Sequence, residues 1–370
     1  MNRNIDYIYD AVVHLQQITD VVAHIESNRT DYDAIATINN TQFVVLGKSE
    51  IRVSNKGMVL NEIENLKHTT RKPIIAIAKF IASDIAKELK EKEINYIDRA
   101  GNAFIKHGKL FIYITGQKTE NTENFNQSRA FQEAGIKLVF QLLAQPEDLQ
   151  LSYRNLAEKT GIALGSVSII MKELEDLRFV VKATKSRYLK NKKELLERWI
   201  LAYNDVLRPR LLKKRFRFST NEAYNIWQDL PLNKIPGRNI WGGEPGASIL
   251  TKQLQPQIFT IYTDGGWQSV ASALKLIPDN EGDVEILAVF WKEYDKLTNQ
   301  NIAPALIILA ELMSSGKERN IETAKIIIDN QIQLEEESPL INQILDTHRS
   351  FDFKTAINCL TQVAIGLNED

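Results

Sequence analysis

The apolar and polar positions divide this chain into three organised blocks. In residues 5–25, Ile8, Val12, Leu15, Ile18, Val22 and Ile25 recur every three to four positions, which predicts one amphipathic helix. Phe43-Val44-Val45-Leu46 predicts a buried strand, with Ile51-Arg52-Val53 as its hairpin partner, and residues 61–68 predict a helix. Residues 73–78 are continuously apolar, as in a strand covered on both faces, and Ser83 predicts the cap of a helix reaching to about residue 91. Residues 95–98, 103–106 and 110–114 read as strands and complete a small α/β unit over residues 1–118. Residues 119–129 (TENTENFNQSR) are almost devoid of apolar side chains and read as a linker.

The middle block, residues 130–217, carries the clearest pattern. Ile136, Val139, Phe140 and Leu143 form one helical face, and Pro146, Glu147 and Asp148 end it. Ser152 suits the N-cap of a short helix over residues 153–159, and Gly161 stands where that helix should stop. A four-residue turn leads into a third helix over residues 165–178, with Val167, Ile170, Met171, Leu174 and Leu177 inward. Residues 179–181 and 187–189 predict two short strands around a basic tip, so the block reads as a winged helix-turn-helix. Beyond it, residues 192–206 predict one long helix that Pro209 stops. Residues 211–218 predict a strand with a basic face toward DNA.

The third block, residues 218–370, has a glycine-rich turn at 241–246 before a helix over 247–254. Strands follow at 259–263 and 284–291, and helices at 303–314, 321–330, 340–345 and 355–365. The fold class expected is a multidomain α/β (α+β) chain. It comprises an N-terminal α/β unit resembling a degenerate restriction-endonuclease-like core, a central winged helix and a C-terminal α/β unit.

Charge sharpens this picture. The 370 residues carry a net charge of only −1, yet Arg178 to Arg217 holds fourteen Lys and Arg against Glu194, Glu197 and Asp205, a net of +11. Beside a helix-turn-helix, that surplus points to nucleic acid, whereas the acidic last quarter points away from it. Gly165, Ser166 and Ser168 keep the start of the third helix small and polar for a major groove, with Lys172 one turn further. Lys182, Lys185, Arg187 and Lys190 would hold phosphates from the wing. The bland alternative is a winged fold used only for protein contact.

Few residues suggest chemistry. Asp98 before a hairpin and Lys118 after the next strand resemble part of a nuclease site, but Gly116 occupies the place of the second carboxylate that a divalent metal would need. The preferred reading has Asp98 and Asn102 bonding backbone in the turn, with Gly101 at positive φ. The 241–246 turn lacks the Lys-Ser/Thr of a P-loop and reads as a tight turn packing Trp241 into the core. The five histidines lack zinc spacing, Cys359 reads as core, and no Ser/His/Asp or Cys/His arrangement is visible. No catalytic residue, metal site or cofactor is therefore expected. One cysteine, no basic-then-apolar leader and no run of ~18 apolar residues fit a protein of a reducing cytoplasm outside the membrane.

Several stretches carry a family resemblance in their order along residues 70–330. They are residues 95–103 (NYIDRAGNA), the winged helix over 150–188, Trp241-Gly242-Gly243-Glu244 with Ala247, Leu250 and Thr251, Phe259-Thr260-Ile261-Tyr262, Ala303-Pro304-Ala305-Leu306 and residues 320–324. Together they resemble the AbiEi-type antitoxins of type IV toxin–antitoxin systems. The resemblance implies a bacterial regulator that binds double-stranded DNA at its own operator and offsets a nucleotidyltransferase-like toxin. Winged helices often bind as homodimers. The internal position of this winged helix departs from the N-terminal one usual in that family. The competing expectation is an enzyme, either nuclease-like at Asp98 or nucleotide-binding at the 241–246 turn.

Overall fold

The computed structural model describes residues 6–27, 33–118, 128–183, 186–292 and 301–332. The helices expected at 340–345 and 355–365, and Cys359 with them, lie outside these residues. Among the described residues the chain is mixed α/β and builds two sheets and a two-stranded wing.

The first sheet is assembled from α1 (Asp6–Ile18), β1 (Ala23–Ser27), β2 (Ala34–Ile38), β3 (Thr41–Ile51), α2 (Lys56–Thr69), β4 (Ile74–Ile81), α3 (Ser83–Glu91), β5 (Asn95–Asp98), β6 (Ala103–His107) and β7 (Leu110–Ile114). Its seven strands lie in chain order; β3, β4 and β5 run parallel, and the outer pairs are antiparallel. The apolar run of β4 is explained by its two covered faces. Ile75 and Ile77 pack with Ile8, Val12 and Leu15 of α1, while Ile74, Ala76 and Ala78 pack with Val59, Ile63, Ile85 and Leu89 of α2 and α3.

Three local expectations are corrected. The first helix ends at Ile18, because residues 23–27 form β1 against β2; Val22 and Ile25 continue the helical spacing only by coincidence. Ile51-Arg52-Val53 is not a hairpin partner, since β3 runs unbroken to Ile51 and pairs with β2 on one side and β4 on the other. That parallel pairing is long-range and leaves no local trace. Ser83 is the first residue of α3 and not its cap; Ala82 holds that position, with no side-chain cap.

A short 3₁₀ turn (Arg129–Phe131) precedes α4 (Glu133–Ala144), α5 (Tyr153–Thr160), α6 (Leu164–Asp176) and the wing strands β8 (Val180–Lys182) and β9 (Arg187–Leu189). Then α7 (Lys192–Ala202) passes through a π-helical turn (Tyr203–Leu207) into α8 (Arg208–Leu211). Pro209 does not stop this helix as expected. The π turn resets the register, so Pro209 falls in the first turn of α8, where its missing N–H breaks no bond.

The second sheet uses β10 (Leu212–Arg217), β11 (Asn239–Trp241), β12 (Phe259–Thr263), β13 (Ile277–Pro278) and β14 (Val284–Ala288), in the order β11-β12-β14-β10-β13. Its helices are α9 (Asn221–Asn225), α10 (Gly243–Thr251), α11 (Trp267–Ala273), α12 (Ala305–Ser314) and α13 (Glu318–Gln331). β10 is laddered to β14 and β13, so a boundary after Arg217 would cut a strand from its own sheet.

The winged helix and this sheet share one continuous core. Phe140 of α4 meets Phe290 at 5.3 Å and Trp291 at 6.4 Å between ring centroids, and Trp199 stacks on Tyr203 at 5.2 Å. The first sheet docks through an ion triad around the buried Lys48, whose Nζ on β3 lies 2.9 Å from Glu62 and 3.1 Å from Glu197 of α7. Burial alone would lower the Lys48 pKa, but the two carboxylates more than offset it and the net shift is upward. Nearby, α2 approaches so closely that a Cβ on Gly57 would lie 2.5 Å from the Gly316 Cα.

Candidate nucleic-acid interface

The turn between α5 and α6 is built as its sequence suggests. Ser152 Oγ accepts the Asn155 N–H at 3.2 Å, and Gly161 closes α5 in the left-handed region at φ +70°. Asp148 anchors α5 to α4 by accepting from Lys159 at 2.7 Å and Gln141 at 2.6 Å. Behind α6, Trp199 Nε1 donates to the Ile136 carbonyl at 2.9 Å, and Glu173 accepts the Ala130 N–H at 3.0 Å. Lys292, from beyond β14, reaches the turn and donates to the Glu158 carbonyl at 3.0 Å.

Val167, Ile170, Met171 and Leu174 face the core, which leaves Leu164, Gly165, Ser168, Ile169, Lys172 and Asp176 exposed along α6. Of the four residues expected to read bases, Gly165, Ser168 and Lys172 lie on this stripe, and Ser166 is half-buried at its flank. The sequence places Leu164 in the turn before the helix and leaves Ile169 off the inward series, but assigns neither to the interface.

In the wing, Lys182 and Lys190 are exposed, and Lys185 lies outside the described residues. Lys182 pairs with Glu175 of α6 at 2.8 Å, and the hydrogen bond that it donates to that carboxylate raises its pKa. Arg187 is half-buried and tied inward. Its backbone exchanges hydrogen bonds with Gln150 at 3.0 and 2.5 Å, its guanidinium donates to the Leu151 carbonyl at 2.6 Å, and it lies over the Tyr153 ring at 5.3 Å. Arg187 thus fixes the base of the wing.

Much of the basic run beyond the wing is met by carboxylates from distant segments. Arg208 pairs with Glu285 and Glu311 at 2.5 and 2.8 Å, Arg215 with Glu285 at 2.5 Å, and Arg210 with Glu133 at 3.0 Å. Arg217 lies 3.7 Å from Asp279. Of the four cations in the basic face expected of residues 211–218, Arg215 and Arg217 therefore lie against carboxylates, because β10 runs beside Glu285 of β14 and near Asp279. The usable positive surface is narrower than the net of +11 suggested.

The two candidate chemical sites resolve into structural roles. Asp98 is buried and accepts the Asn102 N–H at 2.9 Å and its side-chain amide at 2.8 Å; Gly101 has φ +90°. Burial raises the Asp98 pKa against these bonds. Asn102 in turn joins the Gln117 backbone at 3.1 and 2.9 Å. At the glycine-rich turn, Trp241 is buried edge-on to Trp227 at 5.3 Å, and Glu311 accepts the Gly243 N–H at 2.8 Å. The helix N-terminus that could cradle a phosphate is filled by the protein's own carboxylate. A cleft of about 970 Å³ beside α10 has Asp229 as its single acidic lining residue. Among the described residues no group of three His, Cys, Asp or Glu could hold a metal ion, and no helix is long and apolar enough to cross a membrane.

Residues 134–201, from α4 to α7, match the family model of a Firmicute plasmid replication protein, RepL. No curated protein and no solved structure matches the chain. Residues 188–333 match the family model described as a transcriptional regulator, the AbiEi antitoxin of a type IV toxin–antitoxin system. From its second wing strand through α13, the chain is AbiEi-like, as the resemblance in its sequence implied.

Proposed function

We propose that this protein is a DNA-binding transcriptional regulator, the autorepressing antitoxin of a type IV toxin–antitoxin operon. The observation that carries the reading is the exposed stripe of α6, presented by a rigidly braced turn beside a basic wing. Gly165, Ser168 and Lys172 would approach base edges; Lys182, Lys185 and Lys190 would contact phosphates. The AbiEi match supports the regulator and antitoxin reading, and the RepL match over the winged helix is compatible with a role on DNA. On this reading the protein acts in the bacterial cytoplasm, binds its operator as a homodimer, opposes a nucleotidyltransferase-like toxin and serves phage defence.

The test is binding to the protein's own upstream DNA against unrelated DNA of equal length, at two salt concentrations. A preference of ~10³ or more establishes the autoregulator. Weak binding, equal on both and lost at the higher salt, sinks it.

A further inference from the structure

The stripe of α6 that would enter the groove sets two exposed aliphatic side chains, Leu164 and Ile169, beside Ser168 and Lys172. Leu164 is 46% exposed and Ile169 47%, and Val181 on the facing wing strand is 38% exposed. Purines are read by paired hydrogen bonds, from Arg or Lys to guanine and from Asn or Gln to adenine. Of the six exposed positions of α6, only Lys172 belongs to that set. What an aliphatic side chain recognises in a major groove is the 5-methyl group of thymine.

Gly165 points the same way. A Cβ there would meet nothing within 4 Å, so no packing inside the protein requires glycine, and it sits within a helix where glycine is costly. A missing side chain that the fold does not need leaves room for something outside the fold. It sits directly between Leu164 and the turn of Ser168 and Ile169.

Building on the function proposed above, we propose that α6 reads its site chiefly by thymine methyl groups. Gly165 lets the helix start approach the base edges, and Leu164 and Ile169 seat on the methyls. Ser168 and Lys172 supply the polar contacts, and the site is a thymine-containing B-form duplex. The charge around the stripe suits such a partner, with Arg154, Lys172 and Lys190 exposed and Asp176 at its far end, where the helix leaves the groove.

The test uses the full chain and its upstream fragment made with thymidine or with deoxyuridine, which pairs identically but lacks the methyl. Wild-type protein binds the uridine fragment more weakly, by about fourfold for each methyl contacted, from the transfer free energy of one carbon. Ile169→Ser and Leu164→Ser, both at exposed positions, bind the two fragments more nearly alike. Their far-ultraviolet circular dichroism stays that of wild type.

If wild type prefers its upstream DNA yet binds both forms equally, the methyl inference is overturned while the regulator stands. Absence of any preference for the upstream fragment overturns both. If the serine variants change the oligomeric state but not the ratio between the two fragments, the patch is a protein contact and the inference fails.

Discussion

Glu311 on α12 accepts the backbone N–H of Gly243 at 2.8 Å, so that a carboxylate of the chain itself occupies the start of α10. The same side chain accepts from Arg208 at 2.8 Å and from the Tyr262 hydroxyl at 3.0 Å, and its burial raises its pKa. Replacing Glu311 with Ala leaves Arg208 to Glu285 alone and takes the acceptor from the Gly243 amide. The expected cost is about 3–5 kcal/mol, the range for breaking a buried ion pair, measured by urea denaturation. Because the helix start is already filled, ATP and ADP should leave the wild-type melting temperature unchanged. A nucleotide-dependent rise would revive the enzymatic alternative.

Lys48 is the pin between the first sheet and the helix behind the wing. Lys48→Met leaves the half-buried Glu62 and Glu197 side by side without a cation, and should destabilise the protein by up to about 3 kcal/mol, since water screens part of their repulsion. Adding Glu197→Gln should recover part of this, a non-additivity that a double-mutant cycle reads directly. Additive losses would mean that the triad does not act as a unit.

Glu244 gives a pH signature. Burial would raise its pKa, but donors from Asn320, the Gln257 backbone and Arg319 overcome this and hold it below the ordinary carboxylate range. A depressed carboxyl stabilises the fold above its unfolded pKa of about 4.3, and this is lost as pH falls through its folded pKa. Wild type should therefore melt well above Glu244→Gln at pH 7, and the gap should narrow below about pH 4. A gap independent of pH would assign the loss to packing alone.

Gly165 separates stability from recognition. Gly165→Ala should raise stability by about 0.5–1 kcal/mol, since the helix gains and nothing is displaced. Bulkier Gly165→Gln should keep the fold but weaken binding to the upstream DNA. Unaltered binding by the glutamine variant would remove the start of α6 from the interface.

The wing is open to a salt titration. Lys182→Ala and Lys190→Ala should each lower the salt slope by about one unit if each side chain holds one phosphate. Arg187→Ala should instead lower thermal stability, because that guanidinium bonds Leu151 and covers Tyr153. An equal loss of slope for Arg187→Ala, with no change in melting, would return it to the phosphate-contacting set.

The sequence by itself determined the winged helix almost residue by residue. Ser152 and Gly161 are local signals, and the inward series Val167, Ile170, Met171 and Leu174 follows from helical period alone. The Asp98 turn was legible for the same reason, since its bonds to Asn102 span four residues. Tertiary structure decided what depends on partners distant in the chain. Strand β3 continues to Ile51 because β4 pairs with it, β10 joins the second sheet because β14 lies beside it, and Glu285 and Glu311 reach Arg208 across about a hundred residues or fewer. Net charge along a segment could not reveal those pairings, since Coulomb attraction acts through space. Helical period already places Ile169 off the inward face. The outward turn of Leu164, three residues before Val167, was decided by packing, since a period gives a helix a face but not the fate of its first residue.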